Sequence, residues 1–192
     1  MNQHPAGPVQ WTYDEYARLP DDGDRYEIIR GEVCVTPGPR PRHQWVSARL
    51  QRLLGNYVEA HGLGVILDDV DLLFSSGEFL RPDLLWVPRD RLAGITTRGV
   101  ECAPGLVVEV LSPGSESVDR GKKPGRYAEL GVPEYWLADP QRNVLELFRP
   151  LAGGESAWTM AGPQVVSERL EWHPDPRLPP LVAEVAPLFA GW

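Results

Sequence analysis

The stretch PGLVVEVLSP, residues 104–113, decides the fold. Five of the six side chains in its run LVVEVL are aliphatic, which is typical of a strand that is buried on both faces of a sheet. Glu109 interrupts this run, and a buried carboxylate is costly unless a cation or a hydrogen-bond donor compensates it. The alternatives are a glutamate on an edge strand that faces water, or one paired with a structural arginine. The pattern favours a central strand that carries a functional acid.

Hydrophobic periodicity and turn residues on both sides of this strand predict further helices and strands. We expect helices at residues 12–19, 42–61, 124–130 and 182–189. We expect strands at Arg25–Ile29 and Glu32–Thr36, two more within residues 64–88, and two at residues 134–139 and 144–150. This order predicts an α/β (α+β) fold with a mixed central sheet flanked by helices.

Length and composition predict one globular domain. The chain has 192 residues, of which 42% are hydrophobic and 24% charged. We expect residues 11–150 to form the domain and residues 151–192 to be a C-terminal extension packed on it.

No apolar stretch reaches membrane-spanning length and residues 1–10 lack the order of a secretion signal, so we expect a cytoplasmic protein. Cys34 and Cys102 fit neither a disulfide framework nor a zinc motif.

The net charge of −8 argues against a protein whose whole surface holds a phosphate backbone. The average hides two basic clusters. No acid occurs in residues 33–58, which contain Arg40, Arg42, His43, Arg49 and Arg52. A second cluster consists of Arg120, Lys122, Lys123 and Arg126. A local anionic partner is therefore compatible with the acidic total.

Two further carboxylates lie where they can join Glu109. Asp83 begins another apolar strand, although a proline-aspartate turn explains it equally well. Two carboxylates on neighbouring strands repel each other unless a divalent cation joins them, and oxygen ligands suit Mg²⁺ or Mn²⁺. Glu27 alternates with Tyr26 and Ile28, and the alternative for it is a solvated face of the first hairpin.

His43 and the lysines are weaker candidates. His43 falls in the first turn of the long helix, where it either satisfies backbone groups or binds phosphate or metal. Lys122 and Lys123 are the lysines of this arginine-rich chain. A lysine can position or deprotonate a water beside a phosphate, whereas the alternative is a solvated basic turn.

Several strings, taken in order, resemble the Uma2 family of restriction-endonuclease-like proteins. The most specific are EVLSP and GVPEYWLADP, and the others are YEIIRGEV, RPDLLWV and the set Asp119, Lys123 and Tyr127. The similarity spans about residues 11–150. It implies the PD-(D/E)xK phosphodiesterase superfamily, a mixed sheet of four or five strands flanked by helices, and Mg²⁺-dependent DNA cleavage.

The resemblance also implies site residues. Pro82 and Asp83 match the PD of the signature, Glu109 matches its second acid, and Glu27 matches an early glutamate of some members. Leu111 stands where the signature has lysine, and Lys123 is the residue that replaces it. Pro124 follows directly, so we expect Lys123 to lie just outside a helix that begins at Pro124.

Together these inferences predict a Mg²⁺-dependent endonuclease. Asp83, Glu109 and the backbone carbonyl of Val110 would hold the metal, Glu27 would assist, and Lys123 would position the attacking water. The cluster Arg40, Arg42, His43, Arg49 and Arg52 would follow the DNA backbone. A homodimer would suit the cutting of two strands, with aromatic residues near Trp158, Trp172 and Trp192 leaving room for an interface. The alternatives are a noncatalytic nuclease-fold interaction module and a metal-dependent hydrolase of a smaller phosphate ester.

Overall fold

The computed structural model describes residues 10–149 and 162–191, in which strands outnumber helices. The α-helices of this part are α1 (Tyr13–Tyr16), α2 (Pro41–Ala60), α3 (Lys123–Glu129) and α4 (Ala186–Phe189). The strands are β1 (Arg25–Ile29), β2 (Glu32–Thr36), β3 (Gly64–Asp68), β4 (Leu72–Phe74), β5 (Glu78–Leu80), β6 (Leu84–Pro88), β7 (Leu106–Val110), β8 (Tyr135–Asp139), β9 (Val144–Phe148), β10 (Gln164–Val166), β11 (Arg169–Trp172) and β12 (Leu181–Glu184). A 3₁₀ helix (Arg89–Gly94) follows β6, and a π-helical turn (Val118–Lys122) precedes α3.

The strands form two main sheets. The central sheet has six strands in the order β10–β9–β8–β7–β6–β3, and the second has four in the order β2–β1–β5–β4. Strands β7 and β8 are parallel, whereas the other neighbours in the central sheet are antiparallel. A parallel pair needs a crossover connection, which the π-helical turn and α3 provide. The mixed α+β fold is confirmed, with more strands than the four or five that the resemblance implied.

The two faces of β7 contact different cores, as the sequence pattern predicts. Leu106 and Val108 belong to a core that also contains Leu50 of α2 and Trp172 of β11. Val107 belongs to a second core, which lies between the central sheet, the second sheet and α3. Each of these buried side chains contributes about 1.5–3 kcal/mol to the free energy of unfolding. Because side chains alternate along a strand, Glu109 shares the face of Val107.

Helix α2 presents the apolar face expected of it. Val46, Leu50 and Leu54 are fully buried on that face, and Tyr57 is 9% exposed. The helix begins at Pro41, one residue earlier than predicted, because proline suits the first helical position. Within the described ranges, no helix has the length and apolarity needed to cross a bilayer.

The prediction for residues 64–88 was wrong in detail, because four strands occur there rather than two. Asp69 adopts a positive φ of 49°, and the chain leaves the central sheet after Asp68. Strands β4 and β5 then pair as a short hairpin that extends the second sheet beside β1. Three-residue strands are too short to show a clear period of two.

The C-terminal prediction also needs correction. Strands β11 and β12 pair with each other, and the predicted helix at residues 182–189 is confined to α4. Val182 is 43% exposed beside the buried Leu181, an alternation typical of a strand. Trp172 is fully buried and so is not available for the predicted interface, whereas Trp158 and Trp192 lie outside the described residues. The boundary at residue 150 stays a prediction.

Candidate active site

Asp83 and Glu109 lie on the same face of the central sheet. Asp83 directly precedes β6, and Glu109 lies on β7. The register pairs Leu84 with Val108, which brings the two acids to adjacent positions. Asp83 is 3% exposed and Glu109 2% exposed. The strand pairing that follows from the apolar sequence of both strands therefore brings together two buried carboxylates that are 26 residues apart.

Each of these acids accepts a hydrogen bond from the other's strand. The backbone N–H of Val110 donates to Asp83 Oδ2 at 2.7 Å. The N–H of Asp83 lies 3.4 Å from Glu109 Oε2. These contacts hold both side chains beside the ends of β6 and β7. The cleft in front of them is lined by β1, the first turn of α2 and the π-helical turn.

Lys123 lies at the centre of a group of three carboxylates. Its Nζ is 2.8 Å from Glu109 Oε1, 2.9 Å from Glu27 Oε2 and 3.0 Å from Asp119 Oδ1. Glu27 is 2% exposed, so the solvated-hairpin alternative for this residue does not hold. Glu27 also accepts the backbone N–H of Arg81 at 3.0 Å. The structure thus brings together the four side chains that the sequence analysis named as catalytic.

The prediction that Lys123 lies outside the helix was wrong. Lys123 has α-helical angles, and its N–H donates to the carbonyl of Val118, five residues back. Pro124 has no N–H to continue this π pattern to the carbonyl of Asp119. Tyr135 OH donates to that carbonyl instead, at 3.0 Å. The wider turn therefore accommodates the proline and directs Lys123 into the cleft.

Burial and neighbouring charges shift the pKa values of these groups. Desolvation raises the pKa of Glu109 well above its usual value, although Lys123 opposes the shift. Desolvation also acts on Asp83, but the hydrogen bond from His43, the charge of Arg25 and the Val110 N–H together lower its pKa. Lys123 is desolvated too, yet Asp119, Glu109 and Glu27 raise its pKa and favour the ammonium form.

Three charged residues of this site received no role from the sequence. Arg25 pairs with Asp83 Oδ1, Arg81 lines the cleft, and Asp119 contacts Lys123. Two spacing signals were available. Arg25 and Glu27 are two apart on a strand, and Asp119 and Lys123 are four apart in a helical segment, so each pair shares a face.

The five predicted nucleic-acid-binding residues lie in α2 or directly before it. His43 contacts the acids, with Nε2 2.9 Å from Asp83 Oδ2. Arg42 donates to Asn143, and Arg49 stacks on Trp45 and donates to the carbonyl of Pro187. Arg40 and Arg52 are exposed, about 18 Å apart along the helix axis. A role of the five in DNA binding stays a prediction.

The donors around Asp83 and Glu109 fit Mg²⁺ in type. Mg²⁺ usually takes one or two carboxylates and keeps several waters, so a larger protein cage is not required. Among the described residues, no group of three or more His, Cys, Asp or Glu side chains is arranged so that it could hold a metal ion. The cleft has about 20 Å³ of free volume, enough for one water or ion. Nδ1 of His43, also in the cleft lining, is buried without a hydrogen-bond partner among the described residues.

Comparisons with known proteins identify the family and the fold of the chain. The family model of Uma2, described as "Putative restriction endonuclease", matches residues 13–163. "Uncharacterized protein slr1290" of Synechocystis sp. is 28% identical over 152 residues, which are 77% of this chain and 76% of that protein. A solved structure, described as a putative nuclease belonging to DUF820 from Anabaena variabilis, superposes with a TM-score of 0.71 at 20% identity. It covers 93% of this chain and 97% of its own.

Proposed function

The chain belongs to the Uma2 family, and from this premise we propose that it is a Mg²⁺-dependent endonuclease that hydrolyses phosphodiester bonds of DNA. The observation that carries the proposal is the contact of Lys123 Nζ with Glu109 beside Asp83. A buried acid pair with an adjacent ammonium group is suited to bind a hard cation and a water next to a phosphate.

Each residue of the cluster has a distinct task. Asp83, Glu109 and the carbonyl of Val110 would hold Mg²⁺, which when bound lowers the pKa of a water and neutralises charge on the phosphate. Lys123 would hold the attacking water beside Glu109 for in-line displacement. Glu27 would orient Lys123 through their 2.9 Å contact.

The charge of the site supports a divalent cation. Glu27, Asp83, Glu109 and Asp119 carry four negative charges when ionised, against the two positive charges of Lys123 and Arg25. The formal charges of these six groups sum to −2. A divalent cation neutralises this remainder, and neutralisation reduces the cost of burying Glu109 in ionised form.

We also propose that the acting form is a homodimer. The described residues contain one such cluster per chain, and a symmetric pair of subunits can cut both strands of a duplex. Light scattering on the purified chain tests this, with a mass near twice 21.4 kDa expected.

Cleavage of supercoiled plasmid tests the activity. We expect nicked and linear products with Mg²⁺ or Mn²⁺, none with EDTA, and none from Glu109→Gln with either metal. Glu78→Gln is the matched control, because Glu78 is a buried carboxylate that pairs with Arg126 outside the cleft. Absence of cleavage by the folded wild-type chain with both metals would contradict the proposal and favour a noncatalytic module.

A further inference from the structure

Two arginines at the mouth of the cleft share one carboxylate. Arg25 Nη2 and Arg81 Nε both lie 3.1 Å from Asp69 Oδ1. Arg25 reaches Asp83 Oδ1 with its other terminal nitrogen, Nη1. The Asp69 oxygen is therefore separated from the candidate metal ligand Asp83 by the width of one guanidinium group.

Asp69 is a poor permanent partner for Arg81. Nε of Arg81 is buried, and it has no hydrogen-bond acceptor among the described residues despite its proximity to Asp69. Its next acidic neighbour, Asp71 Oδ1, is 4.0 Å away. Within the described part of the chain, the single hydrogen bond of Arg81 Nη2 is to the backbone carbonyl of Asp69, at 3.4 Å. The guanidinium group thus retains capacity for a better-placed oxygen ligand.

Asp69 is positioned so that another anion can displace its carboxylate from the two arginines. Its side chain is 55% exposed. It lies just after β3 with a positive φ of 49°, outside the regular pairing of the sheet. Exposed ion pairs contribute little to stability, so its replacement by another anion carries little penalty.

We propose that a backbone phosphate of the nucleic acid binds between Arg25 and Arg81, at the position of the Asp69 carboxylate. This inference rests on the proposed function and adds the place where the substrate's charge is recognised. Guanidinium groups bind phosphate oxygens with forked, charge-assisted hydrogen bonds. Through Arg25, a phosphate bound there lies directly beside Asp83 and the acids of the cleft. Asp69 acts as a competing anion until the substrate displaces it.

Fluorescence anisotropy with a labelled DNA duplex in EDTA tests the proposal separately from catalysis. Arg81→Ala should weaken binding roughly tenfold for two unrelated sequences, and it should reduce the salt slope by about 1. The affinity of Arg81→Lys should lie between those of the wild type and Arg81→Ala, because lysine keeps the charge but lacks the forked guanidinium donors. Asp69→Asn should tighten binding, because it removes the competing charge. Unfolding midpoints close to that of the wild type would establish that each variant is folded.

Asp175 and Arg177 supply matched controls. They form an Asp–Arg pair outside the residues that line the cleft. Asp175→Asn and Arg177→Ala make the same charge changes, and we expect each to alter affinity less than about twofold. Equal effects at the two pairs, or no DNA binding by the wild type at low salt, would overturn the inference. If the variants show the expected changes in DNA affinity but the wild type does not cleave DNA in Mg²⁺, only the proposed function is contradicted.

Discussion

Lys123 Nζ lies 2.8 Å from Glu109 Oε1, although Pro124 follows the lysine directly. The signature motif would place a lysine two residues after the acid, on the same strand. Here the lysine comes 14 residues later, from the start of a helix. The π-helical turn and the Tyr135 hydroxyl make this possible, so a different part of the chain supplies a lysine that contacts Glu109.

Removal of the lysine charge should destabilise the fold. Lys123→Met leaves Glu27, Glu109 and Asp119 without their cation, and breaking a buried pair costs about 3–5 kcal/mol in the free energy of unfolding. Urea denaturation measures this cost. The control Lys122→Met affects an exposed pair with Glu32 and should cost less than about 1 kcal/mol. Equal losses in the two variants would contradict the role of Lys123.

The Tyr135 hydroxyl should matter for the π-helical turn. Tyr135→Phe leaves the buried carbonyl of Asp119 without this donor, which should reduce the free energy of unfolding by about 1–3 kcal/mol. Tyr26→Phe removes an exposed hydroxyl that bonds to Asp22, and it should have a smaller effect. Thermal unfolding of both variants compares them, and a Tyr135→Phe protein as stable as Tyr26→Phe would argue against this account of the turn.

Trp172 should be essential to the core although it lies in the C-terminal part of the chain. Its ring packs edge-on against Trp86 at 5.3 Å and Trp136 at 5.7 Å between centroids. Trp172→Ala should lower the free energy of unfolding by about 3–5 kcal/mol. The exposed Val182→Ala on the neighbouring strand should change it by less than about 0.5 kcal/mol. Denaturant titrations check both, and a mild effect at Trp172 would show that β11 is dispensable.

The pH dependence of stability should differ in sign between two glutamates. Burial raises the pKa of Glu134, so the unfolded chain ionises this group first and stability is lost as pH rises from its usual pKa to the raised one. The free energy of unfolding of Glu134→Gln should therefore increase relative to that of the wild type as pH rises through this range. The hydrogen bond from Arg126 lowers the pKa of Glu129. The free energy of unfolding of Glu129→Gln should therefore decrease relative to that of the wild type as pH increases. Urea titrations from pH 3 to pH 7 test both trends, and trends of the same sign would contradict these shifts.

Much of the fold follows from the sequence, because long apolar patterns and strong turn residues decide it. Strands β1 and β2 have the predicted bounds, and Arg30 and Gly31 form their turn with positive φ. The short strands β4 and β5 could not be predicted, since their pairing with β1 depends on tertiary contacts.

Glu27, Asp83, Glu109 and Lys123 were named as site residues from the sequence alone, whereas Arg25, Arg81 and Asp119 were not given a role. Glu109 stands out because a carboxylate in an apolar strand requires a partner. No comparable sequence feature identifies Arg25 and Arg81, because exposed arginines are common. The positions of these two arginines depend on how the two sheets meet. The position of Lys123 was predicted wrongly from Pro124, since local sequence does not show that Tyr135 satisfies the carbonyl of Asp119.

Anomalous scattering from crystals soaked in Mn²⁺ tests the central claim most directly. The account predicts one strong peak about 2.1 Å from carboxylate oxygens of both Asp83 and Glu109 and near the carbonyl of Val110. The same soak of Asp83→Asn crystals should lose the peak. A map without a peak at these oxygens, with Lys123 still paired to Glu109, would contradict the claim.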